Sequence, residues 1–506
     1  MIREKAAFDG KLTREWREEN NSNNFSDLED YKIGENHHTK SLIAKELPPN
    51  WKQVNFEDVL DIISGKNQKY VEDENGMYPI YGSGGVIGKA NEYLCEAGTT
   101  IVGRKGTINT PIYVNEKFWN IDTAFGLSPS KILYSKYLFY FCQGFNFKTL
   151  DKSTTIPSLA KRDLLKIKLQ LAPLPEQRAI VAKIEELFSE LDSGIASLKK
   201  AKDQLEVYRQ AVLKAAFEGK LTREWRKENQ YTEKYVEEIR HKIYEFNSNK
   251  EGQDIPRRLP TISFEKLPSS PFGWEWIEAH KVCQSVRDGT HDTPRYVKEG
   301  IPLITSKNLK KGNIDFENIN YISLTDHKEI SNRSKVEKND ILFGMIGTIG
   351  NPVIVKENNL FSIKNVGLFK KNEDLINPRY LYHYLSSWFV EKIMLDQELI
   401  RGTTQKFVAL GGLRMLPIPL PSLKEQEEII KEIESRLSVC ENIEATIEEA
   451  LEKAEALGQS ILKKAFEGKL LSNEELEACR RESDWEPAED LLKRIKEDKK
   501  GAKSNG

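Results

Sequence analysis

From Ile184 to Ala215, apolar residues recur at alternating spacings of three and four: Ile184, Leu187, Leu191, Leu198, Ala201, Leu205, Tyr208, Val212 and Ala215. That period lays them along one narrow stripe of an α-helix whose other faces are charged. Pro175 sits where a first helical turn tolerates proline, and Gly219 sits where helices commonly stop. The pattern predicts a rod over Glu176 to Leu221, about 60 Å long at 1.5 Å per residue. Only Gly194 interrupts its register. A stripe that narrow needs a partner helix to cover it.

The same chain supplies one. Glu425 to Leu470 carries Ile429, Ile433, Leu437, Cys440, Ile443, Ile447, Ala450, Ala454, Leu457 and Ile461 in the same phase. Both rods open on Glu-Gln after Pro-Leu-Pro, and both close on Ala-Phe-Glu-Gly-Lys-Leu, 249 positions apart. A third, partial copy begins the chain: Lys5 to Asn20 repeats Lys214 to Asn229, differing only at Asp9/Glu218 and Glu18/Lys227. The chain is a duplication whose first residues repeat the end of a unit.

Around the rods the period changes. Residues 1–20 are the partial copy and 21–46 a polar, aperiodic linker. Residues 47–175 form a first globular domain with short β-rich runs (Tyr78–Tyr81, Thr99–Gly103, Thr110–Val114) and a helical segment near Ser135 to Phe145. The central helix occupies 176–229, and 230–270 hold a short helix and a linker. A second globular domain spans 271–421, the distal helix 422–471, and a tail with one short amphipathic helix 472–506. The second domain repeats the landmarks of the first in order. Phe272-Gly-Trp274 answers Pro49-Asn-Trp51, and Ile301–Ile304 answers Tyr78–Tyr81. Asp340–Ile349 answers Gly98–Ile108, Asn377–Tyr384 answers Ser135–Tyr140, and Gly402–Gln405 answers Ser153–Ile156. Residues between the landmarks do not match.

The paired Glu-Gln helix starts, the Ala-Phe-Glu-Gly-Lys-Leu ends, the Trp openings, the Gly-Thr-Ile motifs and the closing Glu486–Ile495 run resemble the specificity subunit of type I restriction–modification systems. The likeness covers nearly the whole chain. It implies an α+β fold: two similar globular α/β target-recognition domains separated by two long antiparallel coiled-coil helices, a pseudo-two-fold internal repeat. It also implies a non-catalytic role, each domain reading one half of a bipartite double-stranded DNA site. The helices would set the spacer and dock two modification (methyltransferase) subunits, with restriction (translocase–nuclease) subunits added for cleavage. S-adenosylmethionine and ATP would bind those partners, so no cofactor is expected on this chain.

Composition narrows the alternatives. Net charge is −2, so nothing in the whole chain argues for nucleic acid. The two domains each come out at about +3, a weak bias toward DNA. Five dispersed cysteines form no CxxC pair and point to free thiols in a reducing cytoplasm. The start lacks the apolar core of a signal peptide, and no apolar run is long enough for a bilayer, so a cytoplasmic protein without a membrane partner is expected. The stretch Gly82–Lys89 fails as a phosphate loop, because Ser83 stands where its first glycine belongs and Ala90 where a Ser or Thr is required. No HExxH, dinucleotide fingerprint or Asn/Asp-Pro-Pro-aromatic motif occurs. A coiled-coil scaffold with two binding heads and no DNA specificity is the alternative; matched heads of one fold with different surfaces count against it.

Candidate DNA-reading groups gather near glycine turns, where Arg and Lys suit guanine, Asn and Gln suit adenine, and Ser or Thr reach bases or phosphates. In the first domain they are Tyr81, Ser83, Lys89, Arg104, Lys105, Thr107 and Asn109. In the second they are Arg287, Thr290, His291, Thr293, Ser306, Lys307, Asn308, Lys310, Thr348, Arg401, Thr403, Thr404 and Gln405. Many such residues simply cap turns or stay solvated. The repeated apolar triplets Phe8, Leu12, Trp16 and Phe217, Leu221, Trp225 are candidate docking faces for one modification subunit each; covering the rod ends is the bland reading.

Overall fold

A computed structural model describes residues 46–229, 233–249, 259–310, 312–358 and 360–504. The amino-terminal repeat copy and most of the first linker lie outside them. The two rods are single helices of 44 residues, Leu174–Phe217 and Leu423–Phe466. By packing, the chain falls into two units. One runs to Ile195 and resumes at Glu452; the other is Ala196–Leu451. Each contains one head, the start of one rod and the end of the other.

Within each unit the rod segments run antiparallel. In the first, Ile180, Val181 and Ile184 share a core with Ile461, Leu462, Ala465 and Phe466. In the second, Leu213, Ala216 and Phe217 share one with Ile429, Ile430 and Ile433. There, ion pairs flank the apolar seam: Arg209 to Glu444 at 2.8 Å and Lys202 to Glu448 at 2.7 Å. The seam departs from expectation at Tyr208, which is 37 % exposed. A 3.6-residue helix drifts against a 3.5-residue repeat. Arg209 therefore turns toward the partner helix, and buried Val212 and Leu213 take over the seam.

The first head contains β1 (Lys52–Asn55), β2 (Leu60–Ser64), β3 (Tyr78–Gly82), β4 (Gly85–Ala90), β5 (Thr99–Gly103), β6 (Ile112–Val114), β7 (Trp119–Asn120), β8 (Ala124–Pro129) and β9 (Lys168–Leu171). An antiparallel sheet runs β2-β8-β5-β6, a smaller one β4-β3-β7 with β3 and β7 parallel, and β1 pairs with β9. The second head repeats this plan. Glu275–Glu278 pairs with Pro417–Leu420, as β1 does with β9. The sheet Ser285–Asp288, Val366–Lys370, Ile341–Gly344, Gly350–Ile354 has the order of β2-β8-β5-β6. Ile301–Ile304 lies parallel to Ser362–Ile363, as β3 does to β7. The heads differ at the partner of that strand. Hairpin strand β4 is replaced by Asn320–Ile322, reached through a longer excursion.

A joint built twice fastens head to rod. The opening tryptophan donates its indole N–H to the first rod carboxylate: Trp51 to Glu176 at 2.7 Å, Trp274 to Glu425 at 2.9 Å. The following glutamine bridges backbone groups. Gln177 accepts from Tyr134 N–H and donates to Ile132 and Ala172 carbonyls; Gln426 does the same with Asn377, Leu375 and Pro421. At the rod ends Gly219 and Gly468 adopt φ of 67° and 70°. A Cβ there would stand 2.3 Å from Pro271 and 2.2 Å from Pro48, so only glycine fits. All five cysteines are buried and outside any disulfide, and burial pushes the Cys95 thiol up to about 12. Among the described residues no helix is long and apolar enough to cross a membrane.

Candidate nucleic-acid interface

Each Gly-Thr-Ile motif forms a tight turn that clasps a distant loop. In the first head, a Cβ on Gly103 would fall 2.1 Å from the Thr107 carbonyl oxygen, and Gly106 has φ 80°. Gly106 N–H donates to Pro157 at 2.9 Å, and Leu159 N–H donates to Arg104 at 2.9 Å, holding the loop Ser153–Ser158. In the second head Gly344 crowds Thr348 in the same way, and Gly347 has φ 75°. Gly347 N–H donates to Lys406 at 3.0 Å and Val408 N–H to Met345 at 2.9 Å, holding Gly402–Phe407. The backbone framework and its exposed threonines are the same; the turn's cations are not, since Met345 and Ile346 stand where the first head has Arg104 and Lys105.

On the first clasp, Arg104, Lys105 and Thr107 are exposed. Arg104 reaches the Asp122 carbonyl at 3.4 Å and lies 5.8 Å from the Phe125 ring. The β3–β4 hairpin comes alongside, with the Ser83 Cβ 3.1 Å from where a Gly103 Cβ would be. Lys89 is exposed on β4. Tyr81 is half-buried, its ring edge-on to Phe118 at 5.4 Å, and burial, then Glu116, raises its hydroxyl's pKa. Asn109 serves the fold locally, its side-chain carbonyl accepting the Phe147 N–H at 2.7 Å.

On the second clasp, Thr348, Arg401, Thr403, Thr404 and Gln405 are exposed. Arg287, on the strand Ser285–Asp288, is half-buried. The Thr290–Thr293 turn is internally tied. His291 lies 2.9 Å from the buried Asp288 carboxylate and 3.2 Å from Asn365, Thr290 donates to the Asp292 carbonyl, and Lys364 donates to Thr293. Lys307 is exposed, whereas Lys310 pairs with Asp315 at 2.6 Å.

Two expected readers are interior instead. Ser306 is 6 % exposed; its hydroxyl donates to the Asn365 carbonyl and accepts the Met345 N–H at 3.2 Å. Asn308 closes a capping box with Thr305 and donates to the Asp315 carbonyl. Ser306 ties the turn after Ile304 to Asn365 and Met345, Asn308 closes that turn on Thr305 and Asp315, and both side chains are buried. Phe217 is likewise core rather than a docking face: it is 2 % exposed, edge-on to Tyr380 and Tyr384. Leu221 is half-buried against that core, and Trp225 is half-buried. Phe8, Leu12 and Trp16 lie outside the described residues.

Sequence reasoning misses the first head's clasped loop, where Ser153, Thr154, Thr155 and Ile156 are exposed. The signal for it is its landmark equivalence to Gly402–Gln405. Gly82–Lys89 is a β-hairpin and not a strand–loop–helix, so it offers no helix N-terminus to a phosphate.

A family model, the type I restriction modification DNA specificity domain, matches residues 48–206 and 272–453, one copy for each head with its adjoining rod. The type I restriction enzyme EcoBI specificity subunit of Escherichia coli is 30% identical over 405 residues, 78% of either chain. The EcoDI specificity subunit of the same species is 24% identical over 464 residues, 90% of this chain and 96% of that one. In fold, the chain resembles one from a solved structure on complex assembly and conformational transition of the type I R-M system. The TM-score is 0.58 at 16% identity, over 84% of this chain and all of the other. With two matched domains and a relative of this extent, the chain belongs to the family of type I restriction–modification DNA specificity subunits.

Proposed function

We propose that each head reads one half of a bipartite double-stranded DNA site through its clasp and the flanking hairpin or turn. The paired rods dock two modification (methyltransferase) subunits and set the spacer. The chain itself performs no catalysis. Restriction (translocase–nuclease) subunits join for cleavage, and the methyl donor and ATP bind on those partners. One observation carries the reading: a single backbone framework occurs twice and presents Arg104 and Lys105 in one head but Arg401 and Gln405 in the other, around a threonine common to both. Equal scaffolds with unequal donors and acceptors suit two half-sites of different sequence. A charge near +3 per head neutralises few phosphates, so the chain alone binds DNA weakly and the partner complex tightly, with affinity falling as salt rises.

The test exchanges residues 271–421 for the equivalent domain of another family member and sequences the methylated sites. One half-site changes and the other stays. Replacing Arg104 and Lys105 by Ala relaxes only the first half-site. Both halves changing together would overturn the one-head, one-half-site reading.

A further inference from the structure

The β3–β4 hairpin of the first head carries an exposed aliphatic pair that folding alone does not explain. Val86 is 59 % and Ile87 54 % exposed, next to each other on a strand at the edge of its sheet. An alternating strand would turn one of two neighbours inward. Here the ladder slips: Tyr81 faces Val86 while Ile80 faces Gly88, so Ile87 is the extra residue of a β-bulge. Bulges bend a strand and re-aim its side chains, and they gather beside functional sites. The tip is unobstructed. A Cβ on Gly84 or Gly85 would meet nothing within 4 Å, and Gly85 has φ 125°.

The surroundings decide what covers this pair. Lys89 lies on the same strand, and Ser83 brings the tip against the turn bearing Arg104 and Lys105. Exposed cations beside an apolar tip suit a partner rich in phosphate that also offers hydrocarbon. Double-stranded DNA offers it as the thymine 5-methyl group on the major-groove floor, a groove wide enough for a two-stranded ribbon. Building on the DNA-reading role above, we propose that Val86 and Ile87 are specificity-determining residues that recognise a thymine methyl in the first half-site. Among the described residues the second head lacks this device. Its strand Ile301–Ile304 runs instead into the turn that buries Ser306 and Asn308.

The experiment uses the full chain with its modification subunits and duplexes bearing the site defined by methylation mapping. Each thymine of the first half-site is replaced in turn by uracil, which removes only the methyl. At one position wild-type affinity falls about fourfold, the effect of one methyl-sized group leaving an apolar contact. In the Val86→Ser, Ile87→Ser double variant that loss disappears, while sensitivity to changes in the second half-site is untouched. The proposal is overturned by a first half-site without any A·T pair, by no uracil effect there, or by an effect that persists in the variant. Loss of modification subunits from the variant in native mass spectrometry, with thymine preference intact, would make the patch a protein-docking surface instead. Absence of any sequence preference in the wild-type complex would sink the DNA-reading role itself, and so is distinguishable.

Discussion

The joints and the clasps of this protein were duplicated together and have since followed different rules. At the joints the same side chains recur: tryptophan on glutamate, glutamine across three backbone groups, glycine against proline. At the clasps the backbone hydrogen bonds recur while the turn's cations differ, Lys105 standing where the second head has Ile346. A joint is specified by its own packing, so both copies hold the same solution. A clasp is specified by what it meets, so its copies diverge as far as their turns permit. Most motifs that make the family visible in the sequence therefore belong to the joints; at the clasps only the Gly-Thr-Ile turns recur, and Arg104, Lys105 and Arg401, proposed to discriminate DNA, lie outside them.

Among the described residues the two joint carboxylates hold different partners, which gives the sharpest way to break the comparison. Glu176 accepts from two indoles, Trp51 and, from the carboxy-terminal tail, Trp485 at 3.3 Å. Glu425, with a fully buried side chain, accepts from Trp274, from Thr222 at 2.7 Å, and from Arg226, whose side chain is 13% exposed. Removing the carboxylate in Glu425→Ala leaves a nearly buried cation unpaired. That should cost about 3–5 kcal/mol. Among the described residues Glu176→Ala strands only neutral donors, at about 1–3 kcal/mol. Chemical denaturation of the two variants measures the difference; equal losses would show that Arg226 adds nothing to the second joint.

Much of this architecture was legible in the sequence, and the reason is period. Forty-residue helical stripes and a 249-residue offset are signals that local context cannot erase. Reading residues carry no such redundancy. Ser306 and Asn308 have the chemistry of base readers, and only the turn after Ile304 shows that both side chains are buried and bonded within the fold. Phe217 fits a docking triplet on paper, but the second head's Tyr380 and Tyr384 pack on it. Those partners lie more than 160 positions away in sequence, beyond the reach of any local pattern. The Val86–Ile87 pair lies in a stretch that sequence reasoning weighs only as a phosphate loop, and the bulge that exposes both residues is set by strand pairing.

The two corresponding serines test whether equal landmarks have unequal duties. Ser306 satisfies the buried Met345 N–H, so Ser306→Ala should destabilise the second unit by about 1–3 kcal/mol. Ser83 is half-buried beside Gly103 and makes no hydrogen bond through its hydroxyl among the described residues. Ser83→Ala should leave stability within about 0.5 kcal/mol and act only on first half-site preference. Thermal unfolding and methylation mapping of both variants separate the roles. A destabilised Ser83→Ala protein would mean that both serines are structural.

The last expected effect concerns charge near the second clasp's sheet, where the first head has no equivalent cluster among the described residues. Lys370 contacts Glu337 at 2.8 Å and the buried Asp340 at 2.6 Å. Hydrogen bonds from Lys370 and Lys335 hold the Glu337 carboxyl down at about 2, from an ordinary 4.5. Burial raises Asp340 instead, with Lys370 opposing. The signs follow. Glu337, lowered in the fold, contributes stability that is complete above about pH 4.5 and is lost as pH falls toward about 2. Asp340, raised in the fold, favours the native state when protonated and so offsets part of that loss. The Glu337 side chain is 42% exposed, so solvent screening limits its share to about 1 kcal/mol. Glu337→Gln should therefore be less stable than wild type by about that amount near pH 6 and approach it near pH 3. Denaturant titrations at the two pH values measure the gap. A gap that stays constant would assign the loss to packing or hydrogen bonding and not to the ionised carboxylate.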